Sequence, residues 1–188
     1  MRIRLYQLGI VSLSVVALLL FTNCPGQTGT ALAGKVTGGG TVATDGGKAN
    51  FAFVASSCDG LENVMGRFNF NDKSATQYDG GVMMKGAVEQ VGLCDPEGPA
   101  CSVTDIPGET CPAGSYMIQV MYRNKNPKLK DEPDQTGDVV LCVEDTGEGT
   151  EPHGRLVKMI VGDGPYDGYE LEDKTVQGNI QAHACPVE

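Results

Sequence analysis

The chain has 188 residues, including 26 Gly and 10 Pro but no Trp, so its apolar residues suffice for one modest core. Its formal net charge is −10, and nucleic-acid binding depends on clustered cations that neutralise phosphates. We therefore expect no nucleic-acid partner, and an acidic surface of this kind mainly provides solubility.

The N-terminal segment has the features of an export signal. Arg2 and Arg4 form a positive start, and residues 8–21 form an apolar run shorter than a typical membrane span. The chain is therefore predicted to reach an extracytoplasmic compartment, either as a secreted protein or as a lipoprotein of a bacterial envelope.

Two cleavage sites remain open for this signal. Cys24 follows the apolar run at the spacing of a bacterial lipoprotein box, which would remove residues 1–23 as the signal peptide and acylate Cys24. The small residues that end at Ala33 offer ordinary cleavage instead. Residues 24–34 are predicted to be a flexible tether, and any membrane contact would come from a lipid on Cys24.

Strand patterns begin at residue 35. Residues 35–42 read as a strand interrupted by three glycines, which predict a bulge, a bend or a close backbone approach. The next two strands alternate apolar and polar residues. In the second of these, Arg67 and Asp72 are candidates for a surface site. The predicted inward residues here are Phe51, Phe53, Ala55, Val64, Phe68 and Phe70.

The pattern continues through two further strands and two loops. A strand with Val82, Met84 and Val88 inward changes phase near residues 90–93, which predicts a bulge. Residues 95–114 form a Cys- and Pro-rich loop, and residues 124–136 form a charged loop. Between them lies a strand whose predicted inward residues are Tyr116, Ile118, Val120 and Tyr122.

The C-terminal part, residues 137–183, reads as a series of strands separated by Gly and Asp turns. Glu144, Arg155 and Lys158 are predicted to face outward. The predicted inward residues are Val139, Leu141 and Val143 on one strand and Val157, Met159 and Val161 on the next.

Six of the seven cysteines follow the signal region and form an even set in an oxidising compartment, which predicts three disulfides. The spacing within residues 94–111 suggests at least one bridge inside that loop. A zinc site is disfavoured because the chain has no Cys-x-x-Cys pair. The disulfide candidates are Cys58, Cys94, Cys101, Cys111, Cys142 and Cys185.

These elements predict an all-β fold, an antiparallel meander of about seven to eight strands in one domain over residues 35–188. Such a meander must protect its edges, so it is expected to close as a barrel or, alternatively, to fold as a sandwich. We expect residues 176–183 to pair with residues 35–42 and close the sheet, with Val176, Ile180 and Ala182 facing inward.

Several motifs together resemble the post-COAP family of secreted bacterial β-domains. The resemblance implies an exported β-domain and brings no established catalytic residue. The chain departs from the family by carrying Arg67 where many members have His, and by its cysteine-bearing loop over residues 95–114. The matching segments are residues 36–40, 47–53, 66–70, 82–86, 144–148 and 178–183.

The sequence contains no coherent catalytic set. It lacks Gly-x-Ser-x-Gly, and His153 and His183 are expected to be ordinary surface residues. Asp163, Asp167 and Glu170 are weak calcium candidates, because turn chemistry explains their Gly- and Pro-containing segment as well. We expect no metal and no cofactor.

The leading prediction for function is a non-catalytic extracytoplasmic module for binding, adhesion or envelope structure. Two alternatives remain open. A secreted hydrolase would need two carboxylates about 5 to 10 Å apart in a cleft, and a small-ligand carrier would need an apolar cavity inside the barrel.

Overall fold

The structure of the protein is a computed structural model that describes residues 31–147 and 153–185. Two short 3-10 helices occupy Pro127–Leu129 and Gly164–Tyr166. In chain order the strands are β1 (Ala31–Leu32), β2 (Lys35–Thr44), β3 (Gly47–Ser56), β4 (Met65–Asp72), β5 (Val82–Cys94), β6 (Cys101–Ser102), β7 (Thr110–Cys111), β8 (Tyr116–Asn124), β9 (Thr136–Glu144), β10 (Arg155–Val161), β11 (Glu170–Thr175) and β12 (Gln177–His183).

The main sheet is a meander bent into a nearly closed barrel. Its path runs β11, β10, β9, β8, β5, β4, β3, β2 and β12, and all neighbours along it are antiparallel. The prediction of an all-β antiparallel fold closed as a barrel is confirmed, and the sandwich alternative is not what forms. In the part of the chain that the structure describes, the path has nine strands, more than the seven to eight predicted. The step from β5 to β8 passes through the inserted loop, which contains the small sheet of β6 and β7.

The last segment of the chain closes the barrel. β11 pairs with β10, and after Val176 the same segment continues as β12, which pairs with β2. The register of this pairing runs from Gln177 opposite Thr41 to His183 opposite Lys35. The predicted pairing of the C-terminal strand with the strand that opens the domain is therefore confirmed, and it satisfies backbone groups that would otherwise line two open edges.

Glycines allow the two backbones of this seam to approach closely. Gly40 lies opposite Gly178, and their φ angles are 151° and 153°. A side chain on either residue would collide with the backbone of the facing strand. Ile180 is buried as predicted. The inward prediction for Ala182 is wrong, because this residue is exposed and lines a concavity at the surface.

One apolar core occupies the barrel interior. Alternation along each strand sends every second side chain inward, so the period-two pattern identifies most of the core. Val64 packs partly buried against it. The predicted inward residues that are buried there are Phe51, Phe53, Ala55, Phe68, Phe70, Val82, Met84, Val88, Tyr116, Ile118, Val120, Tyr122, Val139, Leu141, Val143, Met159, Val161, Val176 and Ile180.

Two irregularities shift the inward phase of a strand. The pairing of β5 with β8 shifts between Val88 and Gln90, next to the predicted bulge region. The pairing of β10 with β9 shifts between Leu156 and Lys158. The inward prediction for Val157 is wrong. Because β10 contains an extra residue here, the side chain of Leu156 points into the core and that of Val157 points outward.

The loop over residues 95–114 covers the outer side of β8, β9 and β10. Its Val103 and Ile106 are buried against outward side chains of these strands and form a second apolar cluster outside the barrel. Lys158 Nζ on β10 lies 2.5 Å from Glu109 Oε2 on the loop. We call the outward residues beneath the loop the covered face; they are Met117, Val140, Cys142, Val157 and Ile160.

Three disulfides pair all six candidate cysteines. Cys94 bonds Cys101 inside the loop, as expected, and the bond from Cys111 to Cys142 fixes the loop to β9. Cys58 bonds Cys185 and ties the C-terminal segment to the end of β3.

These bridges also bear on the compartment. Disulfides persist in oxidising compartments, so three of them indicate an extracytoplasmic location. Cys24 lies outside the described residues. Within the described residues, no helix has the length and apolar character needed to cross a membrane.

Tyrosines close one end of the barrel. Tyr166 is fully buried, and its hydroxyl donates to Asn124 Oδ1 at 2.5 Å. Tyr169 Oη donates to Asp72 Oδ2 at 2.7 Å. Burial raises the pKa of Tyr169, and the hydrogen bond to Asp72 raises it further. The prediction that Asp72 lies at a surface site is wrong, because this carboxylate is 1% exposed and serves as an internal acceptor.

The end of the predicted tether is part of the fold. Ala31 and Leu32 form β1, which pairs with Cys94 and Leu93 of β5. Gly34 is buried; its N–H donates to Ser57 Oγ at 3.0 Å, and its carbonyl accepts the Ser57 N–H at 2.9 Å. The folded part therefore begins before residue 35.

Candidate functional site

A concavity of about 540 Å³ lies on the outer side of β12, β2, β3, β4 and β5. The loop that covers the other side of the barrel contributes no residue to its lining. We call the outward residues of this concavity the open face; they are Thr37, Gly39, Ala52, Val54, Arg67, Asn69, Lys85 and Asn179.

Strand register explains the shape of the open face. Asn179, Gly39, Ala52, Asn69 and Lys85 stand opposite one another on successive strands and form one row across the sheet. In the middle of this row, Gly39 has no side chain and Ala52 has a single methyl group. The row is therefore low at its centre and polar at both ends, which produces the concavity.

The open face is cationic in an otherwise acidic chain. Its lining contains Arg67 and Lys85 but no carboxylate. Arg67 stands opposite Ala87, two residues from Lys85, so the two cations are diagonal neighbours, roughly 7–8 Å apart at the backbone. Neither forms an ion pair with any residue that the structure describes. Both charges are therefore available to an anionic group from outside.

A second concavity, of about 390 Å³, continues this surface along β3, β4 and β5. It shares Ala52 and Asn69 with the first, adds Asn50, Asn71 and Lys125, and again contains no carboxylate. Asn71 Oδ1 is buried and has no hydrogen-bond partner in the described part of the chain. A surface rich in amide groups and free of acids thus extends beyond the open face.

The concavity at the barrel end that contains Asp72 has a different character. It measures about 320 Å³ and includes Asp45, Glu170 and Glu172. Asp72 already accepts hydrogen bonds from Tyr169 and from the backbone and hydroxyl of Ser74. Its carboxylate therefore holds the turn after β4 and the end of the barrel together.

Both histidines line a fourth concavity, of about 550 Å³, beside the seam. His183 Nε2 lies 3.0 Å from Thr37 Oγ1, and Asp145 Oδ2 accepts the Ala182 N–H at 2.8 Å. In the lining that the structure describes there is no Ser or Cys, and the hydroxyl in contact with His183 belongs to Thr37 on β2.

The three calcium candidates occupy separate positions around the barrel end. Asp163 Oδ1 accepts the Asp138 N–H at 2.5 Å, and Glu170 Oε1 lies 3.7 Å from Lys158 Nζ. Asp167 is exposed, and its backbone carbonyl accepts a hydrogen bond from Tyr78. Over the described residues, no group of three or more His, Cys, Asp and Glu is arranged to hold a metal ion.

Sequence reasoning finds one member of the open face, Arg67, and misses the others. Alternation alone places Asn69 and Asn179 among the solvated outward residues, although their partners on the intervening strands, Gly39 and Ala52, are unusually small for outward strand positions. That combination of small outward residues flanked by amides and cations is the signal that could have indicated a concave surface.

No protein family matches the chain, and neither the curated proteins nor the solved structures contain a match to it.

Proposed function

We propose that this protein is an extracytoplasmic, non-catalytic binding domain whose ligand lies on the open face. The observation that carries the proposal is an acid-free concavity of about 540 Å³ on the outside of the barrel. A carrier would enclose its ligand, but large apolar side chains occupy the interior of this barrel. The ligand surface is therefore external.

The positions of the carboxylates favour binding over hydrolysis. A glycoside hydrolase presents an acid and a base on either side of a bound sugar, but the open face has neither. Several acids gather at the barrel end, where Asp72 is held by Tyr169 and Ser74. These hydrogen bonds support a structural role for Asp72.

We further propose that the domain is a lipoprotein, cleaved before Cys24 and anchored there. Cleavage after Ala33 would remove β1 and turn the buried Gly34 N–H into a charged terminus beside Ser57. Burying such a charge is costly, which supports a cleavage site upstream of β1. Mass spectrometry of the exported protein should find an acylated Cys24 as the first residue, and a mature chain starting at Gly34 would contradict the proposal.

Sedimentation with cell envelopes tests the binding function. The protein is produced without residues 1–24, so that no lipid can mediate binding, and is mixed with envelope fragments of the cells that export it. Ala52→Trp should fill the concavity and abolish cosedimentation. Ala52 is exposed, so the substitution should leave the fold intact.

Thr175→Trp is the matched control, because Thr175 is also an exposed strand residue but lies outside the open face. It should cosediment like the wild-type protein. Equal cosedimentation of Ala52→Trp and the wild-type protein would show that the open face is not the binding surface.

A further inference from the structure

We infer that the ligand of the open face is an acidic polysaccharide, an inference that rests on the proposed function. The two adjoining concavities present three cations, Arg67, Lys85 and Lys125, and no carboxylate. The chain as a whole has 24 Asp and Glu against 14 Lys and Arg. An acid-free area with three cations is therefore a local reversal of charge, and it is complementary to an anionic ligand.

The remaining polar groups suit a ligand that is rich in hydroxyl groups. Asn50, Asn69 and Asn179 each offer an amide that both donates and accepts hydrogen bonds, and Thr37 offers a hydroxyl. Sugar hydroxyls likewise donate and accept, so amide side chains pair with them in either direction. The open face thus combines charge recognition with hydroxyl recognition.

The dimensions favour an extended ligand over a small anion. From Asn179 on β12 to Lys85 on β5 the row crosses four steps between strands, roughly 19 Å at about 4.8 Å each. The planar guanidinium of Arg67 can hold a carboxylate with two parallel hydrogen bonds, whereas Lys85 supplies a compact charge. Two cations on neighbouring strands can therefore bind acidic groups on successive parts of one chain.

Two other polyanions fit the surface less well. Single-stranded nucleic acid binds by stacking its bases on aromatic side chains, but the rings of Phe53 and Phe68 beneath the open face are buried in the core. An acidic peptide offers carboxylates without the dense hydroxyl groups that the amides can bind. Both ligands serve as comparisons in the test.

Binding to polygalacturonate, measured by isothermal titration calorimetry, tests the inference. Its fully methyl-esterified form has the same backbone without the charges, and polyglutamate and single-stranded DNA are acidic polymers without this pattern of hydroxyls. We expect binding to polygalacturonate at an ionic strength of about 0.05 M, weaker binding at about 0.5 M, and little binding of the three comparison polymers.

Charge-neutralising variants locate the interaction. Arg67→Gln with Lys85→Gln should raise the Kd for polygalacturonate at least tenfold, since each lost charge-assisted contact corresponds to roughly tenfold or more. Lys73→Gln with Lys130→Gln removes the same charge from exposed residues outside both concavities and should leave the Kd unchanged.

The outcomes separate this inference from the proposed function. If Ala52→Trp abolishes envelope binding but Arg67→Gln with Lys85→Gln does not weaken it, the binding face is right and the acidic ligand is wrong. Equal binding of the methyl-esterified form, of polyglutamate or of DNA would also overturn the polysaccharide assignment. If Ala52→Trp leaves envelope binding intact, the proposed function itself fails.

Discussion

The covered face and the open face are two outer surfaces of the same barrel with opposite chemistry. Beneath the loop, outward residues such as Met117, Val140 and Ile160 are apolar, and two disulfides fix the loop and its attachment. On the open face the outward residues are small, polar or cationic except Val54, which is 51% exposed, and the loop over residues 95–114 does not cover them. The loop therefore buries a contiguous apolar patch, whereas the open face, with its cations and amides, stays accessible to a ligand.

The same two surfaces differ in how their charges are compensated. Near the covered face, Lys158 bonds Glu109, which raises the pKa of its ammonium group. Arg155 is paired with Glu144 and Asp173. On the open face the cations have no ion-pair partner among the described residues. Exposed ion pairs contribute little stability, so the contrast matters more for recognition than for folding.

The largest expected effect comes from removing the strand that completes the open face. Deletion of residues 176–188 removes β12, two buried core residues and the Cys58–Cys185 bond. A lost disulfide costs about 2–5 kcal/mol and each buried aliphatic side chain about 1.5–3 kcal/mol. The loss is of the same order as the whole stability of a domain, about 5–15 kcal/mol.

Circular dichroism during heating should therefore show no cooperative melting for the truncated chain. The full-length protein serves as the control. A cooperative transition with an unchanged midpoint would show that β12 is an accessory and that the barrel stands without its seam.

Uncoupling the covered face from its loop should have the next largest effect. Cys111→Ala with Cys142→Ala removes a bridge between residues 31 positions apart. The loop-closure entropy of the unfolded chain then predicts a loss of roughly 4 kcal/mol in the free energy of unfolding. Removing Cys94–Cys101, with a separation of 7, corresponds to roughly 2 kcal/mol and serves as a matched comparison.

Urea unfolding measures both losses, and binding of a hydrophobic dye reports exposure of the covered face. Dye binding should rise for the first variant because its loop is no longer fixed to β9. No rise would indicate that the apolar contacts of Val103 and Ile106 hold the loop without the bridge.

Two substitutions by alanine, one on each surface, extend the comparison to single side chains. Ile106 of the loop, packed against the covered face, is 8% exposed, whereas Val54 on the open face is 51% exposed. Ile106→Ala is expected to cost about 2–3 kcal/mol, and Val54→Ala less than about 0.5 kcal/mol in urea unfolding. Similar costs for the two substitutions would mean that the open face is also covered in solution.

The smallest expected effect concerns Asp138 on β9, which lies in register with Met121 on β8. Burial raises the pKa of Asp138, and the carboxylates of Asp163, Asp105 and Glu89 raise it further. A carboxyl group whose pKa is raised by folding binds its proton more tightly in the native state. As the pH rises from the pKa of this group in the unfolded chain through its higher pKa in the native state, its ionisation therefore lowers the stability of the fold.

Asp138→Asn is accordingly expected to raise Tm slightly at pH 7, with the gain vanishing below about pH 3, where the carboxyl is protonated in both states. The gain should be small because the group is only partly buried. Asp134→Asn removes the same charge from an exposed loop residue and is the matched control. A Tm that falls at pH 7 would mean that the native state favours the ionised carboxylate of Asp138.

Much of the fold could be predicted because alternation along a strand is a local property. Phe51 and Phe53 face the core because side chains two residues apart share a face of the sheet. Where an extra residue enters a strand, as at Val157, local alternation gives the wrong face. The burial of Asp72 could not be predicted from its own strand either, because its hydrogen-bond partner Tyr169 is 97 residues away in the sequence.

The sequence by itself determined most strands of the main sheet, most of their inward residues, the even set of cysteines and the closing pair of strands, but not the short strands β1, β6 and β7. Only the tertiary structure decided which outward residues become neighbours. Asn179 stands beside Gly39 because the last strand pairs with β2, a consequence of closure and register that no local pattern encodes. A core position is specified by its own strand, whereas the open face depends on five strands brought together by folding.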